Sequence, residues 1–387
     1  MTSNSFVHTN GTHFVNPDGS RLRLCGTNLG NWLLLEGYMF QFQNGPQSNR
    51  EIEGLFMELA GPEVCHEFWQ QYLDCYIAEA DIQFLHRCGC NCLRLPLHYK
   101  YFETDDSQGF RLLDRAIGWC QDAGMHVVLD LHAAPGGQNG SNIGDGWGYP
   151  WLFASPSAER HCTEIWQRLA AHYRDDHTVI GYDLLNEPIP HYPGLEKYNP
   201  LLEPLYRRLT AAIREIDKNH ILFLGGAQWN KNFKVFGEPF DDNTAYTFHQ
   251  YWVEPDISSI REFLDYRDKY KVPLWCGESG ENSDEWVATF RKLLDLHEID
   301  WTFWPYKKMA NGSGCVTFPQ PVHWDKIVAY GKLPLNIGQL EKKFPLRPAQ
   351  DDIRACLADF LHQIRFENCR VNRGYLEALG LTPPSNR

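Results

Sequence analysis

Two short segments of the chain each deliver a glutamate at the end of an apolar run: Leu-Leu-Asn-Glu-Pro at 184–188 and Trp-Cys-Gly-Glu-Ser at 275–279. Two carboxyl groups brought face to face can open an acetal, because one protonates the departing oxygen while the other attacks or supports the anomeric carbon. Glu187 and Glu278 are therefore the candidate pair. A single carboxylate at a strand end serves as readily as a helix cap or half of an ion pair, so the reading needs both glutamates and flanking groups to tune them. Arg94, His132, Asn186, His249, Tyr251 and Trp304 stand at or near the ends of other apolar runs. Asp130 and Asp183 fall further inside their runs and are expected to bind polar groups within the fold. Glu281, three residues past Glu278, is the second candidate nucleophile.

Such a set has to be assembled by elements that carry distant residues to one face. Short β-branched or apolar runs recur near 22–28, 91–97, 126–132, 179–186, 221–226, 244–251, 273–278 and 301–306. Amphipathic helical patterns lie between them at 111–123, 159–174, 200–217, 257–270 and 284–297. Gly89 and Gly124 stand just past helical stretches, where a left-handed residue is wanted. Eight βα units in succession predict the α/β class and a (β/α)8 TIM barrel, with residues 1–387 as a single domain and its working face at the carboxyl ends of the strands. The stretch 351–369 reads as the closing eighth helix. Three connections, 28–50, 133–156 and 307–349, exceed what a connector requires and are expected to be substrate loops on that face. The glycine-rich run 136–148 lacks the lysine of a phosphate-binding loop and opens no helix, so it reads as one of them.

Composition narrows the partners. A net charge of −13 argues against nucleic acid and against an anionic membrane, both of which require a basic surface. The aromatic content of 14%, with 13 Trp, suits a neutral sugar ligand, although most tryptophans are expected in the core. The N-terminus has neither a basic nor an apolar signal region, and no run is apolar for long enough to cross a bilayer. The 12 cysteines form no CxxC pair or zinc-type spacing. These features predict a cytoplasmic protein with reduced thiols, and acetal cleavage by two carboxyl groups calls for no cofactor and no metal; the sequons at Asn10, Asn139 and Asn311 would matter only on a secreted chain.

In the order Arg94, His132, Asn186, Glu187, His249, Tyr251, Glu278, Trp304, the chain resembles the family 5 glycoside hydrolases, the cellulase-type family of the retaining (β/α)8 clan. All eight functional positions of that pattern find a match. The resemblance implies that Glu187 is the acid/base and Glu278 the nucleophile. It implies further that Arg94 and Tyr251 hold Glu278, that Asn186 binds the sugar 2-hydroxyl, that His132 and His249 position substrate and acid, and that Trp304 floors the reacting sugar. The loops GTNLGNWLLLEGY and PGGQNG are similar to those of exo-β-1,3-glucanases, which makes Glu36 a candidate grip on a terminal sugar. The segment after strand 8, WPYKKMANGSGCVTFPQPVHW, departs from that pattern. The expected activity is exo-cleavage of short β-glucan-type oligosaccharides. An endo-β-1,4-glucanase with an open cleft and a non-catalytic carbohydrate-binding barrel are the alternatives.

Overall fold

A computed structural model describes residues 5–333, 338 and 340–384. Residues 334–337 and 339, within the expected 307–349 loop, lie outside the described residues. Strands β1 (His8–Asn10), β2 (His13–Val15) and β3 (Arg21–Leu22) form a small antiparallel sheet. Eight parallel strands then close into a barrel: β4 (Cys25–Asn28), β5 (Cys92–His98), β6 (His126–Ala133), β7 (Val179–Asp183), β8 (Ile221–Gly225), β9 (Thr244–Gln250), β10 (Leu274–Ser279) and β11 (Asp300–Phe303), the last pairing with β4. A third sheet joins β12 (Lys307–Met309), β13 (Val316–Phe318) and β14 (Arg370–Val371).

The helices are α1 (Asn49–Ala60), α2 (Pro62–Cys75), α3 (Glu79–Cys88), α4 (Gln108–Asp122), α5 (Pro156–Tyr173), α6 (Asn199–Arg214), α7 (Ala227–Asn230), α8 (Arg261–Tyr270), α9 (Asp284–Leu296), α10 (Trp324–Gly331), α11 (Leu340–Lys343), α12 (Gln350–Gln363) and α13 (Arg373–Ala378), of which α7 is a single turn with left-handed backbone at residues 228–230. Their ends follow local chemistry. Ser155 accepts a hydrogen bond from the Ala158 N–H and Pro156 opens α5 in the first turn, where its missing N–H costs nothing. Gly89 ends α3 in the left-handed conformation expected of it, φ +100°.

Strand alternation divides the barrel interior into two storeys. Phe14 and Leu22 of the N-terminal sheet plug the bottom and meet Cys92, Val128, Ile180, Phe223, Ala245 and Trp275 in one apolar cluster. Two residues further along the same strands the inward face turns polar: Arg94 follows Cys92, Asp130 and His132 follow Val128, and Thr247 and His249 follow Ala245. Strand β10 breaks the period. Its register against β9 slips between Cys276 and Glu278, so Glu278 comes level with His249 where strict alternation from Trp275 would place Gly277. A bulge of this kind re-aims a side chain at a barrel rim.

All eight expected strands are present, within a few residues. The run expected to reach residue 186 pairs as a strand only to Asp183, and that expected to reach 306 stops at Phe303. The eighth helix requires correction. It spans Gln350–Gln363 and packs on α1 and α2, while α13 packs on α9. Helices α1 and α2, the N-terminal sheet and the β12–β14 sheet were not foreseen. All twelve cysteines are free thiols, and no described helix is long and apolar enough to cross a membrane.

Candidate active site

Arg94 is the hub of the upper storey and is fully buried. Its Nε donates to Asp183 Oδ2 at 2.9 Å, Nη1 to Glu278 Oε1 at 2.5 Å and to Asn28 Oδ1 at 3.1 Å, and Nη2 to Asn186 Oδ1 at 2.9 Å. Asp130 Oδ1 lies 3.0 Å from Nη2. One guanidinium thus serves three carboxylates. Burial opposes its charge, but Asp130, Asp183 and Glu278 together hold it protonated. Burial lifts Asp130 and Asp183 to about 7 against the pull of Arg94. Both aspartates therefore serve inside the barrel, as their position within the strands implied.

The remaining groups fix the two glutamates. Tyr251 donates its hydroxyl to Glu278 Oε2 at 3.0 Å, and burial beside Glu278 and Glu281 keeps that phenol protonated. Asn230 Nδ2 approaches His249 Nε2 at 3.2 Å, so Nδ1 carries the proton and donates to Glu187 Oε1 at 2.9 Å. His249 is held neutral first by burial and then by the neighbouring positive charge of Arg94 and, less strongly, of Lys231. His132 pairs Nδ1 with Asp130 at 2.7 Å, accepts from Asn186 Nδ2 on Nε2 at 3.0 Å, and stacks on Trp304 with centroids 5.5 Å apart. Trp304 in turn donates its indole N–H to Tyr38 at 2.7 Å. Gly30 is required beneath it, since a Cβ there would lie 2.6 Å from the indole ring.

The backbone is strained where Glu187 leaves its strand. Leu184 and Asn186 still bond to the neighbouring strands through Phe223 O and Leu131 O, but Glu187 itself turns left-handed at φ +47°. A non-glycine residue in that region costs roughly 1–2 kcal/mol, a cost that usually marks a functional site. Gln138 of the glycine-rich loop holds the turn, donating to His132 O at 2.6 Å and Asn186 O at 2.8 Å. The glycines of that loop serve close packing: a Cβ on Gly140 would fall 2.5 Å from the Tyr149 backbone.

One oxygen of Glu187, one of Glu278 and a His249 nitrogen all lie within 4.8 Å of one another. Burial pushes both carboxyls up. At Glu187 the charges of Glu278 and Glu36 push further, with Lys231 and Arg94 opposing weakly; at Glu278 the Arg94 guanidinium is the chief opposing force. A single proton shared between them therefore resides on Glu187. This grouping and that of Asp130, His132 and Glu278 have spacings a metal ion could use. The positive charge at the centre is already supplied by Arg94, and both histidines spend their nitrogens on protein partners.

The pair opens into a cavity of about 380 Å³. Its lining includes Glu36, Tyr38 and Trp304, the last two hydrogen-bonded to each other, and Trp229, packed against His191, with Lys231; Trp252 also lines it and is 71% exposed. Glu36 is buried, with His132 Nε2 3.7 Å away, and burial pushes its carboxyl up against the pull of that histidine. Glu281 also lines the cavity and is ion-paired with Lys308, but it is Glu278 that Arg94 and Tyr251 hold and that approaches Glu187 within 4.8 Å, which favours Glu278 over Glu281 as the nucleophile.

The description "Cellulase (glycosyl hydrolase family 5)" matches residues 50–309. The chain belongs to glycosyl hydrolase family 5. It is 30% identical to a beta-xylosidase of Phanerodontia chrysosporium over 79% of this chain and 71% of that protein. It is 26% identical to Endoglucanase C of Acetivibrio thermocellus over 62% of this chain and 87% of that protein. To the sporulation-specific glucan 1,3-beta-glucosidase of Saccharomyces cerevisiae it is 30% identical, over 70% of this chain and 64% of that protein. This family 5 enzyme is a glycosidase that hydrolyses β-glycosidic bonds by double displacement.

Every site residue expected from the sequence of the family 5 chain lies in or directly behind this cavity. Asn28, Tyr38, Gln138, Asn230 and Lys231 were missed. Tyr38, Gln138, Asn230 and Lys231 lie on short turns and loops between the barrel elements, where no periodic signal marks them, and Asn28 ends β4, which at four residues is with β11 the shortest barrel strand.

Proposed function

We propose that the protein is an exo-acting retaining β-glycosidase that trims short β-glucan-type oligosaccharides. The observation that carries this reading is the pairing of Glu187 and Glu278 across less than 4.8 Å at the floor of a cavity of about 380 Å³. Retaining enzymes hold their carboxyls about 5–5.5 Å apart, whereas inverting ones leave room for a water between them. The volume lies near the small end of the 300–1,000 Å³ range of ligand sites, which suits a terminal residue and its neighbour better than the middle of a polymer.

In this mechanism Glu187, protonated, hands its proton to the glycosidic oxygen as ionised Glu278 attacks the anomeric carbon. The leaving saccharide departs and a glycosyl-enzyme ester remains. Glu187, now a carboxylate, takes a proton from water, whose oxygen displaces Glu278 and restores the original configuration. Arg94 and Tyr251 stabilise the charge that returns to Glu278, His249 orients Glu187, Asn186 meets the 2-hydroxyl, and Trp304 floors the ring. Glu36 accepts from hydroxyls of the terminal sugar. The acidic net charge supports a neutral saccharide as partner, and twelve unpaired thiols support a reducing, cytoplasmic location.

Product sizing over time tests the reading. Monosaccharides appear first and polymer viscosity barely falls if the pocket takes chain ends. An early viscosity drop with mixed oligosaccharides establishes an open-cleft endo-β-1,4-glucanase instead.

A further inference from the structure

The wall beyond strand β8 contains the most strained backbone near the cavity, and the chemistry of the two glutamates does not account for it. Gln228, Trp229 and Asn230 are three consecutive non-glycine residues with left-handed backbone, φ +51°, +63° and +59°. Such a run persists only where its surroundings over-determine it. Here they do. The Gln228 side-chain amide exchanges hydrogen bonds with Asn199 at 2.8 and 3.1 Å and accepts one from Asn232 at 2.7 Å. Backbone N–H groups of Lys231 and Asn232 both return to Ala227 O. Asn230 fits against His249 only because residue 225 is glycine, where a Cβ would fall 2.2 Å from Asn230 Oδ1.

The turn brings Trp229 and Lys231 to the cavity. Arg94 is spent on Glu278, Asp130 and Asp183, and Lys308 on Glu281. Lys231, half-buried, lines the cavity without an ion pair to any described side chain. Its charge acts on Glu187 and His249, whereas Tyr38 and Trp304 gather with Glu36 around Glu278 and Glu281. A general acid must face the oxygen it protonates, so the Glu187 side of the cavity is where the departing group sits.

We propose that Lys231 donates to hydroxyl groups of the departing saccharide, with Trp229 as the apolar wall beneath it, so that the 227–231 turn selects a sugar as leaving group over a small or bare one. This inference rests on the assignment of Glu187 as acid. A charged donor lost from a hydrogen bond costs about tenfold or more in affinity.

The test compares Lys231→Met and Lys231→Arg with the unaltered enzyme on two substrates of identical glycone: a β-linked disaccharide and the corresponding glycosyl fluoride, whose leaving group has no hydroxyls to bind. The ratio of kcat/KM for disaccharide over fluoride is read across pH, so that a shift in the acid's titration is separated from lost binding. Lys231→Met is expected to lower that ratio about tenfold at the pH optimum, and Lys231→Arg to restore most of it. An unchanged ratio, whether both rates hold or both fall together, overturns the proposal. If the unaltered enzyme hydrolyses neither substrate, the functional reading fails and the Lys231 inference falls with it, a result distinct from an unchanged ratio.

Discussion

Glu278 and Glu187 lie close together, yet they occupy opposite environments. Glu278 is gripped by a guanidinium and a phenol on a regular strand re-aimed by a bulge. Glu187 sits on a strained left-handed turn, held through a neutral histidine and surrounded by other carboxylates. On the roles proposed above, the difference between the two glutamates lies less in the carboxyls than in where the Arg94 guanidinium stands. Arg94 is bound to one glutamate and not to the other, so like-charge repulsion raises the second.

The sharpest way to break this asymmetry is to remove the gripped partner. Glu278→Ala is expected to lower kcat by about 10⁴-fold or more. Added azide should restore part of the rate, since it can enter the vacated space while Glu187 still protonates the leaving group, and should yield a glycosyl azide of inverted configuration. Undiminished hydrolysis would remove Glu278 from the mechanism.

Glu187→Gln should cost about 10²–10⁴-fold on a disaccharide and much less on a dinitrophenyl glycoside, whose oxide departs without a proton. The pH profile carries the same information. On the proposed roles activity requires Glu187 protonated and Glu278 ionised, and burial with neighbouring charge holds Glu187 well above the usual carboxylate range. The basic limb of kcat/KM in the unaltered enzyme should thus lie well above that range and vanish in Glu187→Gln. Equal losses on both substrates, with the limb intact, would count against the acid role.

Arg94→Met attacks the comparison at its source. Without the cation the Glu278 carboxyl rises, so the acidic limb should move to higher pH and the two glutamates become more alike. The rate should fall about 10²-fold. Asp130 and Asp183 lose their shared partner, and the variant should be roughly 3–5 kcal/mol less stable in denaturant titration. Glu36→Gln is expected to raise KM about tenfold for a chain-end substrate, and, because the Glu36 charge helps hold the Glu187 carboxyl up, to move the basic limb to lower pH while Arg94 keeps the acidic limb in place.

The barrel was legible in the sequence because each strand buries both faces and reads as a compact apolar run. Arg94, His132, Asn186, Glu187, His249, Tyr251 and Glu278 were legible because each stands at or near the end of such a run. What was not legible depends on partners distant in the chain. Phe14 carries no signal in the sequence; its place is set by Phe223, 209 positions further along the chain, against which its ring packs with centroids 5.8 Å apart. Lys307 and Lys308 read as a polar loop, yet both are buried by ion pairs with Asp81 and Glu281. The left-handed turn at 228–230 leaves no trace in residue type, since none of its members is glycine. The bulge before Glu278 is equally silent: alternation alone assigns the inward position to Gly277.

The closure of β11 on β4 has a bearing on how activity is acquired. Thr27 donates its hydroxyl to Phe303 O across 276 residues of chain, and Trp304 follows at once. A contact of such separation forms late, because loop-closure entropy must be met before it is rewarded. A chain emerging during synthesis can carry both glutamates and Arg94 long before it has a complete ring or the indole under the sugar. Catalysis should therefore switch on in a single step as the ring is sealed, and in refolding experiments recovery of turnover should track the slowest structural phase.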